Sequence, residues 1–194
     1  KSCSDIITGS YRKSFFADGR CAISAVRAGN VIGGGDFAYE RIIPDCVRAA
    51  TGGSLIRLRN PLSIRPYQHV LEPLFGYLSI LKGQSEDIEK AGSYNIGPEY
   101  SDCITTGELA TMFCDMWGKG LEWQRTEDGG PHEATFLKLD NSLIRSKIGF
   151  SPKWNIEKAV SKTIEWTEVW MNSGDIVDCM ESQINEYMGE DTND

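Results

Sequence analysis

Apolar positions recur along this chain with two periods, and the switches between them predict its elements. Cys3, Ile6, Ile7, Tyr11 and Phe15 fall at helical spacing, so the chain is expected to open on a helix that Gly19 ends. Residues 21–26 form a short apolar run, the signature of a buried strand. Residues 29–36 are glycine-rich and read as a loop. Ile43, Cys46, Val47 and Ala50 then mark a short helix, with Pro44 near its start and Gly52 and Gly53 stopping it. Residues 55–58 and 67–70 are strand candidates, and Leu71, Leu74, Phe75, Leu78 and Leu81 make a clear helical stripe. Residues 93–96 read as a strand ended by Gly97 and Pro98. Thr105 and Glu108 have capping-box spacing ahead of Leu109, Met112, Phe113, Met116 and Trp117. Asp140 is expected to cap a short helix ending at Gly149. Asn155 begins a longer one, with Ile156, Val160, Ile164 and Met171 facing inward.

Strand and helix therefore alternate, which predicts an α/β fold rather than an all-helical one. A doubly wound sheet should open on strand, glycine-rich turn and helix. This chain opens on a helix, so the first strands of the sheet are expected to be missing. Position 1 is Lys rather than Met, and the chain is read as a piece of a longer protein.

Composition narrows the partners. The net charge of −8 is concentrated at the end, where residues 175–194 carry seven acids and no base. The first 174 residues are left with 21 acids against 20 bases. This balance argues against nucleic acid, and the acidic stretch reads as a solvated, partly frayed tail. No apolar run approaches a membrane span. Six cysteines form no CxxC pair and lie away from both histidines, so no metal site is expected. Buried free thiols and a reducing cytoplasm are expected instead.

Three features could carry chemistry. Gly33, Gly34 and Gly35 suggest a phosphate cradle, but Asp36 stands where a Walker lysine would be. The GxGxxG spacing fits only loosely, so a plain flexible loop is the better reading. Arg57, Arg59 and Arg65, with Arg41 and Arg48 upstream, could grip a diphosphate through their planar forks or form a solvated basic face. The turn at residues 130–133 displays His132 beside Glu133.

Taken in order, these segments resemble the CDP-glucose 4,6-dehydratases of the extended short-chain dehydrogenase/reductase class. Residues 1–12 resemble the stretch that begins at the lysine of that family's YxxxK signature. Residues 27–36 resemble its RxGNVxGGGD loop, and residues 41–45 its RLIPD segment. Residues 59–61 and 65–74 resemble its RNP…RPWQHVLEPL block, the most specific of these. Tyr94-Asn95-Ile96-Gly97, Pro131-His132-Glu133 and Gly149-Phe150 follow in the same order, so the likeness covers about residues 1–170.

The resemblance implies an incomplete Rossmann-like doubly wound domain, C-terminal strands and helices only, plus a small α/β substrate-binding lobe. Residues 1–100 would belong to the NAD-binding domain with inserted lobe segments, 101–174 mainly to the lobe, and 175–194 to the acidic tail. The implied reaction is dehydration of CDP-glucose with a regenerated NAD. Lys1 would be the catalytic and cofactor-contacting lysine, and Asn30, Arg41, Arg57, Arg65 and His132 would bind substrate, with Arg59 as packing or surface charge. The complete enzyme is expected to be a homodimer built on the opening helix. This chain alone is expected to bind no NAD tightly and to be inactive. Another nucleotide-sugar dehydratase or epimerase, or a non-catalytic binding module, is the alternative.

Overall fold

The computed structural model describes residues 2–126 and 135–189. Its elements run α1 (Ser2–Phe15), β1 (Ala25–Ala28), β2 (Asn30–Ile32), α2 (Ile42–Gly52), β3 (Ile56–Leu58), β4 (Ile64–Arg65), β5 (Tyr67–His69) and α3 (Leu71–Glu86). They continue with β6 (Ser93–Ile96), β7 (Ile104–Thr105), α4 (Thr106–Trp117), β8 (Trp123–Arg125), α5 (Ser142–Ile148), α6 (Ile156–Met171) and α7 (Ile176–Gly189). The α/β expectation holds. Three two-stranded parallel ladders, β1–β6, β2–β5 and β3–β8, accompany one antiparallel pair, β4–β7.

Two cores form. The larger gathers Ile32 and Tyr67 of β2 and β5 with Ile56 and Leu58 of β3. Cys46 and Val47 of α2, Leu109 and Phe113 of α4, and Val160 and Ile164 of α6 complete it. The smaller joins Tyr94 and Ile96 of β6 to Ile80, Ile144 and Phe150, with Val26 of β1 packed against it. The chain enters and leaves each core more than once, so segments remote in sequence meet in one place.

Local chemistry explains the helices that the pattern located correctly. Thr105 accepts from the Glu108 N–H at 3.1 Å while the Glu108 carboxylate accepts from the Thr105 N–H at 2.7 Å, a complete capping box on α4. Asn155 caps α6 by accepting from the Lys158 N–H. Gly53 ends α2 and Gly149 ends α5 with positive φ, the backbone state that glycine adopts without strain.

Other expectations fail for identifiable reasons. The strand placed at 21–26 forms at 25–28 instead, because pairing with β6 sets its register. The glycine-rich stretch starts as a strand: Asn30 to Ile32 pair with Tyr67 to His69. Met171, expected inside, is exposed at the last turn of α6. Cys3 and Cys21 are exposed rather than buried, though all six cysteines are free. The acidic stretch folds as far as Gly189 into α7, whose Cys179, Gln183 and Tyr187 form a buried stripe against α6 and α3. Leu71 at the start of α3 is buried, but Leu74, Leu78 and Leu81 are exposed and do not mark the main buried face of the helix. Glu72, Pro73, Gly76, Ile80 and Gly83 do, because Gly76 lets the helix approach the Ile96 side chain closely.

Candidate functional site

The site is built where β1 hands over to β2. The Gly29 N–H donates to the Ile96 carbonyl, closing the β1–β6 ladder. One residue later the Asn30 N–H donates to the Pro66 carbonyl at 2.9 Å, opening the β2–β5 ladder. A Cβ on Gly29 would meet that Pro66 oxygen at 2.5 Å, so only glycine permits the handover. Exposed Asn30 is thereby held beside the segment that carries Arg65, thirty-five positions later in sequence.

Arg65 is half-buried on β4 and donates through Nη1 to its neighbour's carbonyl, Ile64, at 2.9 Å. Behind it, the Thr106 hydroxyl lies 2.9 Å from Ser63 Oγ and 3.0 Å from the Tyr67 hydroxyl, tying β4, β5 and the start of α4 together. Arg41 stands at the N-cap of α2, exposed, and pairs with Asp36 at 3.0 Å. Arg57 is the outward residue of β3, opposite Gln124 of β8. The structure thus ties the Asn30 backbone to Pro66, the residue after Arg65. It engages Arg41 with the acid of the glycine loop and places Arg57 on a separate ladder. Lys1 and His132 lie outside the described residues. The residues that flank positions 127–134 are fixed, however. The Thr126 N–H donates to the Leu58 carbonyl, and the Thr135 carbonyl accepts from the Ile64 N–H. Both anchors lie beside predicted arginines, Leu58 after Arg57 and Ile64 before Arg65.

The glycine loop lies against α6. A side chain at Gly34 would fall inside the indole of Trp166, and Gly35 also lies over that ring. The loop therefore serves as a plate against α6. The described strand-to-helix junctions do not fit the pyrophosphate of NAD, which needs a glycine-rich turn opening onto a free helix N-terminus. β5 passes to α3 through Val70 alone, with the Glu72 carboxyl buried in the first turn. The N-terminus of α2 carries Asp45.

Below the site lies a buried polar cluster that sequence reading did not single out, although its residues fall within the most specific block, 65–74. Glu72 is fully buried. Its Oε1 accepts from the Lys153 N–H at 3.1 Å and the Trp154 N–H at 2.7 Å, and its Oε2 accepts from the Tyr187 hydroxyl at 2.8 Å. Burial outweighs these bonds and pushes the carboxyl above its ordinary value. His69 packs at a tilt against Trp154 with ring centres 4.9 Å apart and accepts from the Leu71 N–H. Burial, helped by the Lys162 charge, pushes its pKa down to about 4. Buried Gln68 donates to the Ile96 carbonyl, the same oxygen that receives Gly29.

An open groove of about 630 Å³ lies elsewhere, between Pro61, Leu62, Met112, Met116 and Trp123, rimmed by Glu108, Asp115 and Glu157. Its rim carboxylates repel a diphosphate, and none of the expected binding residues lines it. Among the described residues no cluster of potential metal ligands occurs, and no helix is long and apolar enough to cross a membrane.

No protein-family model matches the chain. A CDP-glucose 4,6-dehydratase of Salmonella typhimurium is 34% identical over an alignment of 198 positions, which covers 99% of this chain and 55% of that protein. Among solved structures, dTDP-glucose 4,6-dehydratase from Bacillus anthracis in complex with NAD superposes with a TM-score of 0.66 at 21% identity, over 84% of this chain and 49% of that one. UDP-glucuronic acid 4-epimerase from Bacillus cereus, in complex with UDP-glucuronic acid and NAD, gives 0.71 at 13% identity, over 84% and 49%. At such identities the structural likeness shows the fold alone. The chain spans about half the length of the relatives it matches. Over nearly its whole length it is similar in sequence to a CDP-glucose 4,6-dehydratase, as its motifs suggest, and it has the Rossmann-like fold of nucleotide-sugar dehydratases and epimerases.

Proposed function

We propose that this chain is the nucleotide-sugar-binding part of an NAD-dependent CDP-glucose 4,6-dehydratase, inactive by itself. The observation that carries this reading is the 34% identity extending over 99% of the chain. The backbone bond from Asn30 to Pro66, next to Arg65, supports it. In the complete enzyme, CDP-glucose loses water across C5 and C6 to give the 4-keto-6-deoxy product, and NAD serves as the temporary hydride acceptor. Arg65 offers its fork to the diphosphate, a better match than a lysine point charge. Asn30 presents its amide beside it. Arg41 exchanges Asp36 for a phosphate oxygen, and His132 and Arg57 are the further substrate-binding residues. Lys1 holds the catalytic tyrosine at low pKa through its ammonium charge. The exposed apolar residues of α1, Ile6, Ile7 and Tyr11, build the dimer of the complete enzyme. The six free cysteines suit a reducing cytoplasm.

The test is turnover by the complete enzyme of glucose linked to CDP, UDP, GDP or dTDP. CDP-glucose is expected to be preferred, and Arg65→Ala to raise its KM by about one to two orders of magnitude, the loss of a charge-assisted pair. Arg59→Ala should do less. Preference for another base would overturn the reading in favour of another nucleotide-sugar dehydratase or epimerase. An unchanged KM in Arg65→Ala beside a large rise in Arg59→Ala would displace the diphosphate site.

A further inference from the structure

Strand β5 grips the β1–β2 handover at successive residues. The Pro66 carbonyl accepts from the Asn30 N–H at 2.9 Å, Tyr67 is the strand partner of Asn30, and Gln68 reaches across with its side chain. Gln68 Nε2 donates to the Ile96 carbonyl at 3.0 Å, and the same oxygen accepts from the Gly29 N–H at 2.9 Å. The β1–β6 and β2–β5 ladders share no strand pairing. One amide thus ties β5 to the end of β6, at the oxygen that also holds the residue before Asn30.

This bond contributes little to stability. The Ile96 carbonyl already has a backbone donor, so the Gln68 amide is its second. Gln68 is 1% exposed, and its Oε1 has no hydrogen-bond partner among the described residues. Turning the amide over would set Oε1 against the Ile96 oxygen, and a carbonyl cannot donate. A buried amide that adds one bond and leaves its own oxygen unbonded breaks even at best with an apolar side chain of the same length. Its gain is geometric. Gly29 is held to one ladder and Asn30 to the other, and Gln68 fixes the relation between the two.

We infer that Gln68 is a positioning residue for Asn30: by joining β5 to Ile96 it sets where the Asn30 amide stands in the nucleotide-sugar site. Closed off from solvent, it acts through the Gly29–Asn30 backbone rather than by touching a ligand. The inference rests on the reading of Asn30 as a substrate-binding residue. Loosening the clamp leaves the Asn30 side chain intact but lets it leave its place. The loss falls on KM rather than kcat, because Asn30 holds substrate and transition state alike.

The test compares Gln68→Met with Asn30→Ala. Methionine keeps the length and removes the donor and the unbonded oxygen together. In the chain alone, Gln68→Met should leave the thermal midpoint unchanged or raise it. Hydrogen exchange of the Gly29 and Asn30 amides should quicken about tenfold, while the Phe113 amide in the larger core keeps the parent's rate. In the complete enzyme, Gln68→Met should raise KM about three- to tenfold for whichever glucose nucleotide is turned over best, with kcat within about twofold of the parent. Gln68→Glu adds a rescue. A buried carboxyl there can donate to Ile96 only when protonated, so its KM relative to the parent should recover as pH falls. A lowered midpoint with quicker exchange throughout would make Gln68 an ordinary core residue and overturn the inference. Unchanged exchange at Gly29 and Asn30 would do the same, as would a parent-like KM in Gln68→Met beside a raised KM in Asn30→Ala. A parent-like KM in both variants would refute the role of Asn30 in the proposed function, and the inference with it.

Discussion

Removing the Glu72 carboxylate tests the buried cluster most directly. Glu72→Ala leaves three donors in a closed core, the Lys153 and Trp154 N–H groups and the Tyr187 hydroxyl. Each stranded buried donor costs about 1–3 kcal/mol, and partial relaxation brings the expected loss to roughly 3–5 kcal/mol, a large share of the stability of a small domain. Glu72→Gln keeps an oxygen for the two N–H groups and offers an N–H to the Tyr187 oxygen, so it should stay within about 1 kcal/mol of the parent at neutral pH. The pH dependence has a definite sign. A carboxyl whose folded pKa lies above the ordinary 4.5 costs the folded state nothing at lower pH, where both states are protonated. As pH rises through 4.5 the unfolded chain ionises first, and parent stability falls until the raised folded pKa is passed. The Gln variant lacks this loss and should gain on the parent across that window. Urea unfolding midpoints at several pH values, read with a shared slope, measure all of this. A Glu72→Ala protein within about 1 kcal/mol of the parent, or a Gln variant as damaged as the Ala variant, would refute the reasoning.

Gly34→Ala should destabilise by about 1–3 kcal/mol through overpacking against Trp166, and Trp166→Leu in the same chain should remove most of that increment; a neutral Gly34→Ala in urea unfolding contradicts the packed loop. One of the two histidine imidazoles should titrate by NMR near pH 4, and stability linked to His69 should be complete above 6.5 and fall as pH drops through about 4. A midpoint near 6.5 for His69 would show an imidazole in contact with water. Calorimetry of the chain with NAD should show no saturable binding in the micromolar range, since no described junction suits the pyrophosphate. Tight one-to-one binding would return the glycine loop to a phosphate-binding role.

Periodicity located most helices because their caps are local: Thr105, Asn155, Gly53 and Gly149 act on residues within one turn. It located α3 but not the buried face of that helix, because hydropathy weights leucine above glycine. Gly76 and Gly83 occupy the face that approaches other elements, and the charge of Glu72 is hidden by partners at 153, 154 and 187. The acidic composition of 175–194 concealed a readable stripe, Cys179, Gln183 and Tyr187 at successive i+4 steps. Asn30 and Arg65 could be named from family motifs, but the bond from the Asn30 backbone to Pro66 could not be read from sequence, because it depends on the long-range β2–β5 pairing. The glycine loop was ambiguous for a similar reason, since the ring that decides it stands at 166.

The bond between Tyr187 and Glu72 also sets an order of events during synthesis. Its ends are 115 residues apart. At about 5–20 residues per second, a ribosome needs roughly 6 to 23 s to make the intervening chain. Throughout that interval the carboxyl of the β5–α3 junction has no tyrosine to meet and is held open by its hydration. The junction can close only when nearly the whole described chain has been made, so a ribosome that stalls before Tyr187 leaves this junction unsealed and open to chaperone or protease.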